Sequence, residues 1–195
     1  MANPEIFLAR HGETEWSLNG RHTGTTDIPL TDNGRRHAEA LGARLAGREF
    51  AAVFTSPLVR AAETCRLAGL GERAVVREEL MEWNYGEYEG RTTADIRETV
   101  PGWTVWTHET PGGETPEQVG ARCDALIEEL VTFEGDVACF AHGHILRVFG
   151  ARWMGVAPER GANLALSTGT LSVLGWERVN RTLQLWNDGS HIADS

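Results

Sequence analysis

What most constrains this chain is a repeated switch in hydrophobic period. Short apolar runs suited to buried strands alternate with longer segments whose apolar residues return at helical spacing. Ile6 to Ala9 reads as the first strand. Thr31 then stands where an N-cap belongs, ahead of a helix reaching about Ala46 with Ala38, Leu41 and Leu45 on one face. Ala52 to Thr55 reads as a second strand, and Ser56-Pro57 as the N-cap and first residue of a helix through about Ala68. Ala74 to Val76 is a third strand. Residues 80–115 are richer in Gly, Trp, Thr and Pro, which predicts a long, partly helical insertion with a short helix near Thr93 to Val100. Thr115-Pro116 repeats the cap signature and opens a helix to about Phe133, with Val119, Cys123, Leu126, Ile127 and Leu130 on its apolar stripe. Asp136 to Ala141 is a fourth strand, followed by a helix from about Ile145 to Met154. Leu171 to Trp176 and Leu183 to Trp186 read as two final strands that pair. Such alternation predicts an α/β fold, a three-layer α/β/α sandwich around a mostly parallel sheet. The expected organisation is a single domain over residues 1–195, with the insertion at about 80–115 capping the site.

Composition narrows the function classes. The 195 residues carry a formal charge of -10, a field that repels polyanions, and no basic run offsets it. All 18 basic residues are Arg, so any cation that grips a phosphate here is a planar guanidinium able to bind two oxygens at once. Cys65, Cys123 and Cys139 are odd in number and lack metal-ligand spacing, which suits small core residues in a reducing compartment. The N-terminal stretch has no basic region ahead of a long apolar one, and no window is long enough to span a membrane. A cytoplasmic protein is expected.

Ligands of such folds bind beyond the carboxyl ends of the strands. Strand one ends in Arg10-His11-Gly12-Glu13. Strand two leads to Arg60, strand three to Glu82, and strand four ends in His142-Gly143-His144. Two Arg, at least two His and one acid therefore collect at one sheet edge. The set suits phosphoryl transfer: Arg forks neutralise phosphoryl oxygens, a neutral His attacks phosphorus, and an acid protonates the leaving oxygen. Singly, each of these residues is more often structural or solvated; their convergence carries the reading.

The segment Leu8-Ala9-Arg10-His11-Gly12-Glu13-Thr14 resembles the histidine phosphatase superfamily, also called phosphoglycerate mutase-like. Further blocks follow in order over nearly the whole chain: Gly20 to Gly24 with Asp27 and Leu30-Thr31; Thr55 to Leu58 with Arg60-Ala61 and Thr64; Leu80-Met81-Glu82 with Gly86 and Glu89-Gly90; Pro111 to Thr115; and Ala141 to His144. The resemblance implies that His11 is the phosphorylated nucleophile. Arg10, Arg60 and His142 would surround the phosphoryl group, Gly143 would donate its backbone N–H, and Glu82 would be the general acid. Of two adjacent imidazoles only one readily carries charge, so His11 is expected neutral and His142 cationic. Burial among Trp83 and Tyr85 is expected to keep Glu82 protonated. Where many relatives carry an Asn phosphate ligand this chain has Ser17, a shorter donor; Thr23 and Gly24 are the stronger candidates for substrate contact.

A phosphatase is favoured over the related 2,3-bisphosphoglycerate-dependent mutases. The stretch after Glu82 is aromatic and acidic, and only Arg91, Arg97 and Arg122 occur, singly, before His142. The similarity is strongest to small bacterial acid phosphatases of the family, with sugar bisphosphatases as the alternative at substrate level. Trp83, Tyr85, Trp103 and Trp106 either roof the pocket or form the core of the insertion, the latter slightly favoured. Two other classes are weighed: a metal-dependent hydrolase using His142, His144, His11 and Asp27, and a non-catalytic phosphoprotein-binding module. The Arg pair opposes the first, and the filled catalytic positions oppose the second. No metal and no cofactor are expected. The expected partner is a small phosphorylated metabolite, with no nucleic acid and no membrane; a homodimer is allowed.

Overall fold

The computed structural model describes residues 3–192. Six strands form one sheet: β1 (Ile6–Arg10), β2 (Ala52–Thr55), β3 (Ala74–Val76), β4 (Val137–Ala141), β5 (Leu171–Glu177) and β6 (Asn180–Asp188), in the order β3-β2-β4-β1-β5-β6. The first four run parallel, β5 is antiparallel to β1, and β6 is antiparallel to β5. The sheet is mostly parallel as expected, and the last two strands pair.

Side chains alternate across the sheet, so each central strand feeds two cores. Phe7, Ala9, Ala138 and Phe140 pack on Leu41 and Leu45 of α2 (Asp32–Leu45) and on Cys65 of α3 (Val59–Leu67). Ile6, Leu8, Val137 and Cys139 face the opposite way. They pack with Val119, Leu126 and Ile127 of α5 (Pro116–Leu130) and Ile145, Leu146 and Phe149 of α6 (Gly143–Trp153). These are the three layers. Trp83, Tyr85, Trp103 and Trp106 belong to the second core and are at most 8% exposed, so the insertion folds onto the α5–α6 layer. The three cysteines are all buried, as expected of core residues.

Local chemistry explains most helix ends. Thr31 caps α2 through the Gly34 N–H at 3.0 Å, and Thr115 caps α5 in a box with Gln118, with Pro116 in the first turn. Three helices differ from expectation. The chain enters α1 (Glu15–Asn19) directly after the first strand, capped by Thr14 in a box whose returning side chain is Ser17. The usual box ends in Glu or Gln, so the signal is easily missed. In contrast, Ser56-Pro57 does not open α3. That helix starts at Val59, whose N–H donates to the Asp27 carboxylate at 2.8 Å. A distant loop supplies the cap, and Ser56 is left for the site. The short helix of the insertion, α4 (Thr93–Arg97), ends before Val100. Among the described residues no helix is long and apolar enough to cross a membrane.

Candidate active site

Strand register assembles the centre. Arg10 of β1 lies opposite Ala141 of β4, so the next residues, His11 and His142, emerge side by side with ring centroids 5.2 Å apart. Thr55 of β2 lies opposite Phe140, which places Ser56 on the far side of His142. The turn after β1 is tight. A Cβ on Gly12 would sit 2.3 Å from the carbonyl oxygen of Gly34, so the α2 backbone leaves no room for a side chain there.

Hydrogen bonds settle both imidazole tautomers. His11 Nδ1 lies 2.7 Å from the Gly12 carbonyl oxygen, which can only accept. Nδ1 therefore carries the proton, and Nε2 presents a lone pair. Burial, then the charges of Arg10 and Arg60, hold the His11 pKa well below the usual histidine range. At His142 the arrangement is inverted: Arg60 Nε donates to Nδ1 at 3.0 Å, so the proton sits on Nε2 and donates to Ser56 Oγ at 2.7 Å. Burial and then Arg60 also push the His142 pKa far down. The expected split into a neutral and a cationic imidazole is not found. A guanidinium occupies the atom that a second proton would need.

Glu82 is 6% exposed, and its carboxyl group sits at the N-terminus of α6. Oε1 accepts from the N–H groups of Trp83 and Ile145, both at 2.9 Å, and Oε2 accepts from that of His144 at 3.0 Å. Arg10 donates from Nη1 to the Leu166 carbonyl, while its buried Nε has no hydrogen-bond partner among the described residues. A Cβ on Gly143 would come within 3.2 Å of the Arg10 guanidinium carbon, so a glycine lets the fork lie against the start of α6.

A cleft of about 180 Å³ opens over these groups. Of the residues proposed from sequence, Arg10, His11, Ser17, Thr23, Glu82 and Gly143 line it. Three others stand behind the wall. Fully buried Arg60 orients His142 and uses Nη1 and Nη2 to bind the carbonyls of Thr26, Thr23 and Gly24. His142 is completely covered. Gly24 is not placed for substrate contact, because its N–H donates to the Glu89 carboxylate at 2.9 and 3.0 Å and its carbonyl accepts from Arg60. Ser17 reaches the cleft, but its hydroxyl donates to the Thr14 carbonyl at 2.8 Å within the helix cap. Asp27 caps α3, and the His144 ring nitrogen Nδ1 meets the Tyr85 hydroxyl at 2.6 Å, so the residues weighed for a metal site point to separate partners. Of the four aromatics, the indoles are core and Tyr85 alone lines the cleft, as the core reading favoured.

Sequence reasoning did not name Arg147, and it met Arg21, His22 and His144 as members of motif blocks without proposing them as lining residues. Arg147 follows Gly143 by four residues on one helix, a spacing that puts both on one face and could have flagged it. His22 is half-buried against Tyr85 and Trp103, and this desolvation pushes its pKa down to about 4. Neither Arg91 nor Arg97 reaches the cleft; they bind the carbonyls of Asp95 and Trp103.

An imidazole with its Nε2 lone pair free, an adjacent guanidinium and a buried carboxyl group surround one small cleft at the carboxyl ends of the strands. The chain belongs to the histidine phosphatase superfamily (branch 1), whose family profile matches residues 6–189. It is 41% identical over 185 residues to an acid phosphatase of Mycobacterium tuberculosis, covering 93% of this chain and 91% of that one. It is 34% identical over 189 residues to sedoheptulose 1,7-bisphosphatase of Saccharomyces cerevisiae, covering 80% and 70% respectively. Among solved structures, an open reading frame of Mycobacterium tuberculosis superposes with a TM-score of 0.88 at 41% identity, covering 94% of this chain and 97% of that one. The chain is an enzyme of the histidine phosphatase family, and the expected α/β architecture is that of its relatives.

Proposed function

We propose that this enzyme hydrolyses small-molecule phosphomonoesters through a phosphohistidine on His11. The observation that carries the reading is the His11 tautomer. With Nδ1–H held by the Gly12 carbonyl, the lone pair of Nε2 is the atom presented for attack. Nε2 forms a bond to phosphorus as the ester P–O bond breaks, and the leaving oxygen takes a proton from Glu82. Oε1 of Glu82 already accepts two N–H groups and Oε2 only one, so Oε2 has the remaining lone pair for that proton. A water then attacks phosphorus and gives its proton back to Glu82. Orthophosphate leaves and His11 returns to its neutral form. Arg10 supports the growing charge on the phosphoryl oxygens directly, whereas Arg60 acts from behind by holding His142 and the 23–26 loop. The partner is a small phosphorylated metabolite, and these groups need no metal for the step.

Rapid quenching with phosphate-labelled substrate tests the intermediate. The label should be acid-labile and alkali-stable, as a phosphoramidate is, and should map to His11. His11→Ala should lose both the label and nearly all turnover. Substantial turnover by that variant overturns the mechanism.

A further inference from the structure

We propose that Glu89 is a positioning residue for catalysis: from the insertion it grips the turn at residues 23–26, and through that turn it holds Arg60 on His142. The effect on rate rests on the reading of His11 as the phosphoryl acceptor.

The first link is the carboxylate. Glu89 is half-buried and lies outside the cleft lining. Both of its oxygens bind backbone N–H groups of the turn: Oε1 accepts from Gly24 at 2.9 Å and from Thr26 at 3.1 Å, and Oε2 accepts from Gly24 at 3.0 Å. A charged acceptor makes such bonds stronger than those between neutral groups. Glu89 is itself held from both sides of the chain. The Gly90 N–H donates to the His22 carbonyl at 2.8 Å, the His22 N–H donates to the Arg91 carbonyl at 2.9 Å, and Arg21 forms a bridge with Thr92. The close approach of the carboxylate also requires a glycine at 24. A Cβ there would sit 2.6 Å from Glu89 Oε2 and 2.6 Å from the Trp83 carbonyl oxygen.

The second link is the guanidinium. Arg60 is fully buried, and a buried charge is costly unless its donors are met. The same turn meets three of them, through the carbonyls of Thr26 at 3.0 Å, Thr23 at 3.1 Å and Gly24 at 2.9 Å. Just beyond it, Asp27 accepts from the Val59 N–H and so fixes the start of the helix that carries Arg60. Nε of Arg60 is left for His142 Nδ1 at 3.0 Å, which keeps the His142 proton on Nε2. The turn therefore offers its N–H groups to Glu89 and its carbonyls to Arg60. Releasing the first frees the second, and the donor that fixes the His142 tautomer moves with them.

Two measurements on Glu89→Ala test the chain. With p-nitrophenyl phosphate, kcat should fall by about tenfold to a hundredfold, the range of a lost charge-assisted hydrogen bond. KM should stay near the parent value, because Glu89 does not line the cleft. Nitrogen NMR of histidine-labelled enzyme should show His142 as one tautomer, protonated on Nε2, in the parent and as a mixture in the variant. Glu89→Gln keeps Oε1 for Gly24 and Thr26 but turns Oε2 into a donor facing the Gly24 N–H, so it should fall between the two on both readouts. A role in stability alone would reduce the folded fraction and leave the His142 tautomer of the folded enzyme unmoved. If Glu89→Ala fails to fold, Glu89→Gln, which keeps the side-chain volume, decides by the same readouts. A parent-like kcat, a change in KM alone, a lowered kcat with His142 unaltered, or a tautomer mixture already in the parent overturns the proposal. Failure of His11 to take the phosphate label would overturn the mechanism instead, and would leave the tautomer result standing.

Discussion

At the inner wall of the cleft and directly behind it, His11, His142 and Arg60 are buried and held by one another and by backbone carbonyls. On the outer side, Arg21 is exposed and Arg147 half-buried, and neither has a carboxylate partner among the described residues. His11 and His142 follow strand ends whose register is dictated by the sheet, and Arg60 stands in the first turn of α3, whereas the outer groups lie on a loop and one turn into a helix. The contrast separates two tasks. On the proposed mechanism, the inner wall fixes atoms for a bond-making step, where a displacement near 1 Å costs rate. The outer side only has to attract and orient, which charge does at longer range.

The largest effect that tests this division is at Glu82, the inner-wall acid. Glu82→Gln should cost about two to four orders of magnitude with alkyl phosphates, the usual span for general acid catalysis. The cost should be smaller with p-nitrophenyl phosphate, whose leaving group needs little protonation. Equal losses with both substrates would remove Glu82 from the role. The next measurement asks what reaches the phosphoenzyme. With 3-phosphoglycerate and catalytic 2,3-bisphosphoglycerate, inorganic phosphate should appear faster than 2-phosphoglycerate. The cleft opens to solvent beside exposed Arg21, so water has access to a phosphoenzyme formed there. Isomerisation outrunning phosphate release by a large factor would make the enzyme a mutase.

The smallest effect concerns pH. Burial first, then neighbouring cations, depresses the pKa of His11, His142 and His144, and burial takes His22 to about 4. In the unfolded chain these imidazoles titrate near the ordinary value of about 6.5. Below that pH the unfolded state binds more protons than the folded state. Stability therefore rises with pH through this window and is lost as pH falls below about 6.5, the share from His22 saturating near 4. The urea midpoint should be lower at pH 5 than at pH 7 with an unchanged slope. Because His11 stays neutral in the same window, kcat/KM should hold at pH 5, where an ordinary histidine would be mostly protonated. An acid limb near pH 6.5 would mean that His11 is more exposed during turnover than its burial shows.

The strands and the α2 and α5 caps were legible in the sequence because their signals are local. Short continuous apolar runs and Thr-capped amphipathic segments need no knowledge of the rest of the chain, and the residues at strand ends follow from the order of strands and helices. What the sequence could not decide is what each side chain touches across the fold. Ser56 looks like a helix cap until β2 is seen beside β4, where its hydroxyl meets His142 and leaves the helix start to Asp27. Gly24 looks like a substrate contact until Glu89 and Arg60, from two other elements, take up its N–H and carbonyl. The charge state of His142 follows from an Arg60 nitrogen 82 residues away in sequence. Arg147 and Arg21 reach one cleft only after α6 and the loop following α1 are folded against the insertion. Local composition determines which elements form, since propensity and period act over a few residues. Tertiary packing alone decides partners, tautomers and exposure, since these depend on which distant groups share the same few ångströms.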